Sequence, residues 1–351
     1  MLKANYKAHK LQFKFPAGTS RGVMHSKTSW FLLLERDDAC ASGIGECGLL
    51  QGLSPDDTPE YEATLQEVCR NIETYAHHPE KLASWPSIRS GLEMALLDME
   101  AYRPRELFPS PFTRGQEGIA INGLIWMDDK ERMRRQIDAK LEAGFSCIKL
   151  KIGAIEWQAE LGLLQQLRKR YSAETLELRV DANGAFSPEE ALHKLDALAD
   201  LRVHSIEQPI KPGQWKAMER LSRESVLPVA LDEELLGIWQ PARQAELLGA
   251  IKPQYLILKP SLLGGFQAAQ EWISLAEAQN IGWWVTSALE SNIGLNALAQ
   301  WTYTLENSMP QGLGTGQLYT NNFPSPLQIS HGKIWHLPQQ EWNLSQLMQT
   351  A

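Results

Sequence analysis

The sequence has little cysteine, and the few cysteines it has are scattered. Four occur among the 351 residues, at Cys40, Cys47, Cys69 and Cys147. The number is too small for a disulfide framework and the spacing is wrong for a zinc ribbon, so we interpret them as reduced thiols of a cytosolic protein. The eight histidines do not cluster at predicted strand ends, which argues against a zinc site or His-based catalysis.

Long hydrophobic runs and basic tracts are also missing. No apolar run reaches the roughly 20 residues that a membrane span needs, and the segment up to Phe15 lacks the apolar core and cleavage site of a signal peptide. The formal net charge is −8 and no Lys/Arg-rich tract is present, which argues against nucleic-acid binding. These absences predict a soluble, cytoplasmic protein that binds neither membranes nor nucleic acids. They leave the oligomeric state open.

The first part of the chain predicts a small α+β domain over residues 1–105. Two strands, 6–15 and the apolar, aromatic segment 28–35, precede two helical stretches, 61–77 and 87–102. Strands followed by helices are typical of a compact α+β unit.

After a Pro- and Gly-rich linker at 104–116, short apolar strands alternate with amphipathic helices. Repeated βα units imply a parallel sheet, and about eight of them form a closed barrel, predicted here over residues 116–318 with a truncated last unit. Residues 319–351 contain a predicted hairpin and are expected to return to the N-terminal domain. The strand candidates are 119–126, 147–152, 176–182, 205–208, 229–232, 255–259, 283–287 and, more weakly, 312–316.

Charged residues recur at one position in successive βα units. Lys149 and Lys151 alternate with apolar residues, so both share one face of their strand. The outer face of a barrel strand packs against helices, and the lysine face must therefore point into the barrel. Any single charge at a strand end has an ordinary explanation as a helix cap, turn residue or solvated side chain, but five at equivalent positions do not. Lys151 is the first of the five, and the next four strands end in Asp181, Glu207, Asp232 and Lys259.

In an eight-stranded barrel these residues face one cavity at the carboxyl ends of the strands, where barrel enzymes place catalysis. Lysines on the second and sixth strands lie opposite each other, with the carboxylates side by side between them. Three adjacent carboxylates without His or Cys favour a hard cation, Mg²⁺ first and Mn²⁺ second. Such a site suits proton removal beside a substrate carboxylate, because a metal offsets the second negative charge that forms. Lys149 and the metal would favour the neutral, basic form of Lys151.

These residues resemble the motifs of the enolase superfamily, specifically its muconate-lactonising-enzyme-like subgroup. The resemblance implies a (β/α)7β modified TIM barrel with an N-terminal α+β capping domain that the C-terminal tail completes. The matching motifs, in chain order, are Lys149-x-Lys151, Asp181-Ala182-Asn183, Glu207-Gln208-Pro209, Asp232-Glu233 and Lys259-Pro260.

The resemblance also implies a role for each motif residue. Lys151 would be the base and Lys259 would face it across the cavity. Asn183 and Glu233 would support the charged groups without touching the substrate. The ligands of Mg²⁺ would be Asp181, Glu207 and Asp232.

Within the subgroup, the chain most resembles the members that dehydrate a succinylated hydroxycyclohexadiene carboxylate to an aromatic acid. Lys151 would remove the proton and return it to the departing hydroxyl, while Lys259 would act as a cation over the ring. Two capping loops, 19–25 and 47–54, would cover the small carboxylate substrate. The stretches that support this resemblance are 19–22, 45–48, 122–126, 287–294 and 312–316.

Other functions remain open. A dipeptide epimerase or an N-succinylamino-acid racemase would use the same lysines and metal, although epimerases of the subgroup carry Asp-x-Asp where this chain has Gly312-Leu313-Gly314. A lactonising enzyme and an inactive barrel are further alternatives. Trp126 and Trp283 are expected to pack within the barrel or against its helices. The candidate substrate contacts, each with an ordinary structural explanation beside the functional one, are Arg21, Ser261, Ser287, Asn292 and Gly314.

Overall fold

The computed structural model describes residues 1–19, 22–36, 42–126 and 128–348. It begins with an antiparallel sheet of three strands, β1 (Leu2–Thr19), β2 (Gly22–Arg36) and β3 (Ser42–Cys47), in that order. Along β2, Leu32 and Leu34 pack against helices of the same domain, whereas Phe31 joins the core shared with the barrel. Because strand side chains alternate, the sheet has its own helices on one face and the barrel on the other.

Three helices cover the first face of this sheet: α1 (Tyr61–Arg70), α2 (Ile72–His77) and α3 (Pro86–Glu100). The helix predicted over 61–77 is interrupted at Asn71, whose φ of −119° leaves the helical range. Glycines bring α3 close to β3, since a Cβ added to Gly45 would lie 1.8 Å from the carbonyl oxygen of Gly91. This contact holds β3, and with it the start of the following loop, against the helices.

The predicted first barrel strand, 119–126, forms two short strands. β4 (Ile119–Ala120) pairs with a hairpin near the C-terminus, and only β5 (Gly123–Ile125) pairs with the next barrel strand. The prediction of one continuous strand is therefore wrong, because the chain leaves one sheet and enters the other within this segment.

Seven parallel strands follow one another in sequential order around the barrel. After β5 they are β6 (Cys147–Lys151), β7 (Glu177–Asp181), β8 (Ser205–Glu207), β9 (Val229–Leu231), β10 (Tyr255–Leu258) and β11 (Gly282–Val285). The helices are α4 (Lys130–Glu142), α5 (Trp157–Arg170), α6 (Pro188–Asp200), α7 (Trp215–Glu224), α8 (Pro241–Ile251), α9 (Pro260–Leu263), α10 (Phe266–Glu277) and α11 (Asn292–Thr304). Sequence signals set several helix starts, such as the capping box of Ser187 with Glu190 before α6.

The ring closes through Gln311 and Gly312 rather than through the predicted eighth strand, 312–316. The Gly312 N–H donates to the Val285 carbonyl at 2.8 Å, and the Asn122 N–H donates to the Gln311 carbonyl at 2.9 Å. Residues Gly314–Gln317 form a short 3-10 helix instead of a strand. The eighth position of the barrel is thus present, but it is only as long as these two residues.

The C-terminal segment contacts both halves of the molecule. The Thr320 N–H donates to the Gln12 carbonyl at 2.9 Å, which attaches this part of the tail to β1. The hairpin of β12 (Leu327–Ser330) and β13 (Lys333–His336) pairs with β4 beside the barrel. The tail thus reaches the N-terminal domain through Thr320, whereas its hairpin packs beside the barrel. The last described element is α12 (Ser345–Met348).

None of the helices in the described ranges has the length and apolar character that crossing a membrane requires. Among the described residues, Cys47, Cys69 and Cys147 are free thiols, and Cys40 lies outside the described residues.

Candidate active site

Lys149 and Lys151 both point into the barrel from β6. The aliphatic residues that alternate with them lie in the core between strands and helices, so the pleat of the strand decides the direction of the lysines. The Lys149 ammonium lies 3.0 Å from Oδ2 of Asp181 and also contacts the carboxylate of Glu207. The Lys151 ammonium lies 2.9 Å from the same oxygen of Asp181. Asp181 is therefore held between the two lysines.

Three carboxylates end three neighbouring strands. Asp181 is the last residue of β7 and Glu207 the last of β8, and the two are partners in register. Asp232 directly follows β9. All three side chains are buried, with 2 % exposure for Glu207 and Asp232 and less for Asp181. The structure thus brings together the three acids that the sequence places at successive strand ends.

Lys259 reaches the same rim from the end of β10. Its ammonium forms an ion pair with Asp232, which stands at the neighbouring strand end. Pro260 begins α9 immediately afterwards, so the backbone turns away from the cavity directly after the lysine. Lys151 and Lys259 line one cavity, which is the relationship predicted from their spacing.

Asn183 holds the amine of Lys151 from the turn that follows β7. Its side-chain oxygen accepts a hydrogen bond from Lys151 at 2.7 Å, and its amide nitrogen donates to Glu233 at 3.0 Å. The backbone N–H of Asn183 donates to Oδ1 of Asp181, and its φ of +44° tightens the turn. Asn is among the residues that tolerate this left-handed conformation best.

Gln208 has a comparable role that the sequence analysis missed. Its φ is +39°, and its side-chain oxygen accepts the backbone N–H groups of Asp232 and Glu234, each at 3.2 Å. The amide nitrogen of Gln208 donates to the carboxylate of Glu234 at 3.1 Å. Gln208 therefore fixes the turn that carries Asp232. Its place directly after Glu207 was visible in the sequence, but nothing there showed where its side chain pointed.

Burial and charge act against each other on the pKa values of this cluster. Burial alone would lower the pKa of Lys149, but the carboxylates of Asp181 and Glu207 raise it above its ordinary value. Burial opposes ionisation of Asp181 as well, yet Lys149 and Lys151 hold its pKa below the usual range. Burial and then the Asp181 carboxylate raise the pKa of Glu207 well above its ordinary value. The lysines thus compensate the charge of Glu207 less than that of Asp181.

A divalent cation fits the chemistry of this donor set. All the donors are buried carboxylate oxygens, which suits Mg²⁺, and Oε1 of Glu207 accepts no hydrogen bond from the described residues. Lys149 lies between Asp181 and Glu207, however, and within the described ranges no three Asp, Glu, His or Cys side chains form a ready-made ligand group. The carboxylates would have to rotate away from their lysines to share one ion.

Four of the charged groups, Lys149, Lys151, Asp181 and Lys259, line a cavity between the capping domain and the barrel. Met24 falls in the first predicted capping loop but lines the cavity from the start of β2, and Leu50 and Leu53 line it from the second loop. Leu124 and Trp126 extend the apolar wall from the barrel side. An apolar chamber above paired lysines and carboxylates suits a substrate that joins a hydrocarbon body to a carboxylate.

The predicted substrate contacts have three different outcomes. Ser287 and Gly314 line the cavity, whereas Arg21 lies outside the described residues. Trp126 and Trp283 were expected to pack within the barrel or against its helices; Trp283 lies in the core, whereas Trp126 lines the cavity. Thr286 also lines the cavity and was missed, although it directly follows β11, the same position that identified the charged residues.

Ser261 and Asn292 are placed away from the cavity lining. Ser261 donates to Oε1 of Glu290 at 2.6 Å beneath the wall, and it is buried. Asn292 begins α11 and donates to the Phe323 carbonyl at 2.7 Å, which ties the helix to the tail. Both residues are therefore separated from the cavity, and their role as substrate contacts stays a prediction.

Comparison with known proteins agrees with this geometry. Residues 132–340 match the family described as enolase C-terminal domain-like. The chain belongs to the enolase superfamily, and the predicted (β/α)7β barrel with a capping domain is confirmed.

Within that superfamily, the chain is similar to the o-succinylbenzoate synthase of Desulfotalea psychrophila, with 46% identity over 95% of this chain and 98% of the relative. The solved structure of MenC from the same organism superposes with a TM-score of 0.84 and 42% identity, covering 95% of this chain and 99% of that one. An N-succinylamino acid racemase from Thermus thermophilus is more distant, at 31% identity over 81% of this chain and 77% of the racemase.

Proposed function

We propose that the protein catalyses the Mg²⁺-dependent dehydration of 2-succinyl-6-hydroxy-2,4-cyclohexadiene-1-carboxylate to o-succinylbenzoate, a step of menaquinone biosynthesis. The observation that carries the proposal is the pair of lysines, Lys151 and Lys259, that line one apolar-walled cavity beside three carboxylates. The 46% identity to a synthase over nearly the whole chain supports this reaction over others of the superfamily.

Lys151 is the proposed base. Its amine takes the proton from the ring carbon beside the carboxylate, and the C–H electron pair becomes part of a new double bond. The hydroxyl on the neighbouring carbon then leaves with its electron pair and receives the proton held by Lys151, so that water is released. Asn183 and Asp181 hold the amine in place through both steps. Formation of an aromatic ring drives the reaction forward.

Lys259 and the carboxylates have supporting roles in this proposal. Lys259 presents a fixed positive charge to the ring from the side opposite Lys151. Asp181, Glu207 and Asp232 would hold Mg²⁺, and Mn²⁺ is the second choice. When bound, the cation offsets the second negative charge that develops on the substrate carboxylate. The Lys149 ammonium contacts Asp181 and Glu207 and partly neutralises both carboxylates.

A racemase or epimerase of the same superfamily is the second candidate function. Two facing lysines also suit proton removal and return on opposite faces of a carbon, and the Thermus relative carries such a name. The eighth barrel position argues against dipeptide epimerisation, since Gly312 and Gly314 offer no carboxylate to a substrate ammonium group.

The test is a side-by-side assay. The purified protein with Mg²⁺ is given the cyclohexadiene carboxylate, N-succinylamino acids and a panel of dipeptides. We expect rapid formation of the aromatic product, much slower racemisation of N-succinylamino acids, and no dipeptide epimerisation. Chelation of divalent metal should abolish the dehydration, and added Mg²⁺ should restore it. Racemisation or epimerisation without dehydration would replace the proposal with the second candidate.

A further inference from the structure

Two walls of the cavity come from different domains. The loop after β3 supplies Leu50 and Leu53, and the loop after β11 supplies Ala288 and Leu289. The two loops lie far apart in the sequence. Contacts between the domains, rather than the chain connection, must therefore set the width of the cavity.

One buried carboxylate links these two walls. Oε2 of Glu46, on β3, accepts hydrogen bonds from the Ser291 hydroxyl at 2.5 Å, the Ser291 N–H at 2.9 Å and the Gly294 N–H at 3.1 Å. These donors form the N-terminus of α11, where the helix dipole favours a negative charge. On the capping-domain side, Ser29 donates to Glu46 at 2.7 Å and the Lys27 ammonium lies 3.8 Å away. The Glu46 side chain is 0% exposed.

Close packing leaves little freedom around this link. A Cβ added to Gly294 would lie 2.8 Å from Oε2 of Glu46, and one added to Gly48 would lie 3.2 Å from the Ser261 Cβ. The wall beyond Ser291 is also restrained, since the Leu289 N–H donates to the Ser287 hydroxyl at 3.0 Å. A movement of Glu46 would therefore be passed to both loops.

We propose that Glu46 is a positioning residue that sets the spacing of the two apolar walls and so determines how tightly the cavity holds the body of the substrate. It acts through Ser291 and the loop that precedes it, and it does not itself line the cavity. The proposal rests on the proposed function in so far as the substrate used to test it is the cyclohexadiene carboxylate.

The same interface contains a second buried carboxylate that serves as a matched control. Asp98 accepts the N–H of Ile44 on β3 at 2.8 Å and forms an ion pair with Arg105. The Arg105 carbonyl in turn accepts hydrogen bonds from Asn296 at 2.9 Å and Gln300 at 2.7 Å on α11. Asp98 thus joins the same strand to the same helix, but none of these residues lines the cavity.

The experiment compares Glu46→Gln with Asp98→Asn. Steady-state kinetics with the cyclohexadiene carboxylate and Mg²⁺ give KM and kcat, and hydrogen exchange reports on peptides covering 47–54 and 286–294. Glu46→Gln removes the negative charge that interacts favourably with the N-terminus of α11, and it leaves Lys27 without its counter-ion. We expect KM to rise about tenfold, kcat to stay within about threefold, and exchange to increase in both peptides. Asp98→Asn should lower the melting temperature without raising KM.

Either of two results would overturn the proposal: an unchanged KM in Glu46→Gln, or an equal rise of KM in Asp98→Asn. If Glu46→Gln does not fold, Ser29→Ala removes one donor to the carboxylate and leaves its contacts with α11, so KM should rise about threefold and an unchanged KM counts against the idea. If the wild-type protein does not turn over the substrate, the proposed function is wrong. The comparison of hydrogen exchange between Glu46→Gln and Asp98→Asn then tests the positioning role of Glu46 alone.

Discussion

Two layers of the barrel interior carry buried charge, and they use it differently. At the rim, Lys151 and Lys259 contact carboxylates and face the cavity. Arg179, two residues before Asp181 on β7, lies deeper in the barrel and is 1% exposed. Its guanidinium carbon is 4.1 Å from the ring centre of Trp284. Arg179 donates to the Pro310 carbonyl at 2.8 Å and to Glu177 at 2.6 Å.

The difference shows that charge inside a barrel does not by itself make a site. The partners of Arg179 are an aromatic face, a main-chain oxygen and one carboxylate, an arrangement that stabilises a cation in a fixed place. The rim lysines instead share oxygens among three acids and border a chamber that a ligand can enter. Substitutions in the two layers should therefore separate catalysis from stability.

The largest effect is expected at the rim. Lys151→Ala removes the proposed base while the barrel keeps its packing, since the side chain faces the cavity. We expect kcat to fall by about 10²- to 10⁴-fold, the range of a positioned acid–base group, with little change in the melting temperature. Lys259→Ala should also abolish turnover. Steady-state kinetics and circular dichroism measure the two quantities, and normal turnover in Lys151→Ala would refute its role.

The deeper layer should show the reverse pattern. Arg179→Met leaves Glu177 without its ion pair and removes the contact with Trp284, so the free energy of unfolding should fall by about 3 kcal/mol. The folded protein should keep kcat/KM within about threefold. Urea unfolding and kinetics on the same samples test this. A loss of turnover comparable with that of Lys151→Ala would mean that the two layers act together.

A smaller effect is expected on metal affinity. Asp181→Asn removes one proposed ligand charge, and we expect Mg²⁺ to bind at least about tenfold more weakly in a calorimetric titration. Glu177→Gln is the matched control, because Glu177 is a carboxylate on the same strand that contacts Arg179 instead of the rim lysines. An unchanged titration for Asp181→Asn would remove it from the ligand set, and weaker binding in the control would point to a general loss of structure.

The rim was predictable because strand geometry decides it. Because Lys149 and Lys151 alternate with aliphatic residues, both side chains point to the inner face of the pleated strand. Parallel strands also place their carboxyl ends at the same edge of the barrel. The positions of Ser261 and Asn292, which do not line the cavity, were less predictable because both lie at helix starts, where no such period decides which way a side chain points. The eighth strand was overestimated for a related reason, since only Gln311 and Gly312 are needed to close the ring.

The link between the domains was beyond the reach of sequence reasoning. Glu46 and Ser291 are separated by 245 residues, and neither belongs to a periodic pattern that predicts the contact. The motif around Glu46 could be recognised, but its role depends on how the capping domain sits on α11. Long-range hydrogen bonds of this kind become visible only when both domains are placed together.

The smallest effect concerns a buried carboxylate that hydrogen-bonds to hydroxyl and amide groups instead of to lysine. Asp56 is 1% exposed, and its Oδ2 accepts the N–H and hydroxyl of Ser87; burial raises its pKa to about 6. The folded state therefore binds this proton more tightly than the unfolded chain, whose Asp pKa is about 3.9. The stabilisation by the proton is complete below about pH 4 and is lost as the pH rises through 6.

Asp56→Asn cannot ionise, so its unfolding free energy relative to that of the wild type should increase by about 2 kcal/mol between pH 4 and pH 7. Urea unfolding of both proteins across this range measures the difference. Asp57→Asn, which changes an exposed neighbour, provides the baseline for the general pH dependence. A constant difference between Asp56→Asn and the wild type would mean that Asp56 is not destabilised by burial. In that case burial would not destabilise an unpaired carboxylate in this protein. Burial would then not explain why the rim carboxylates are paired with lysines.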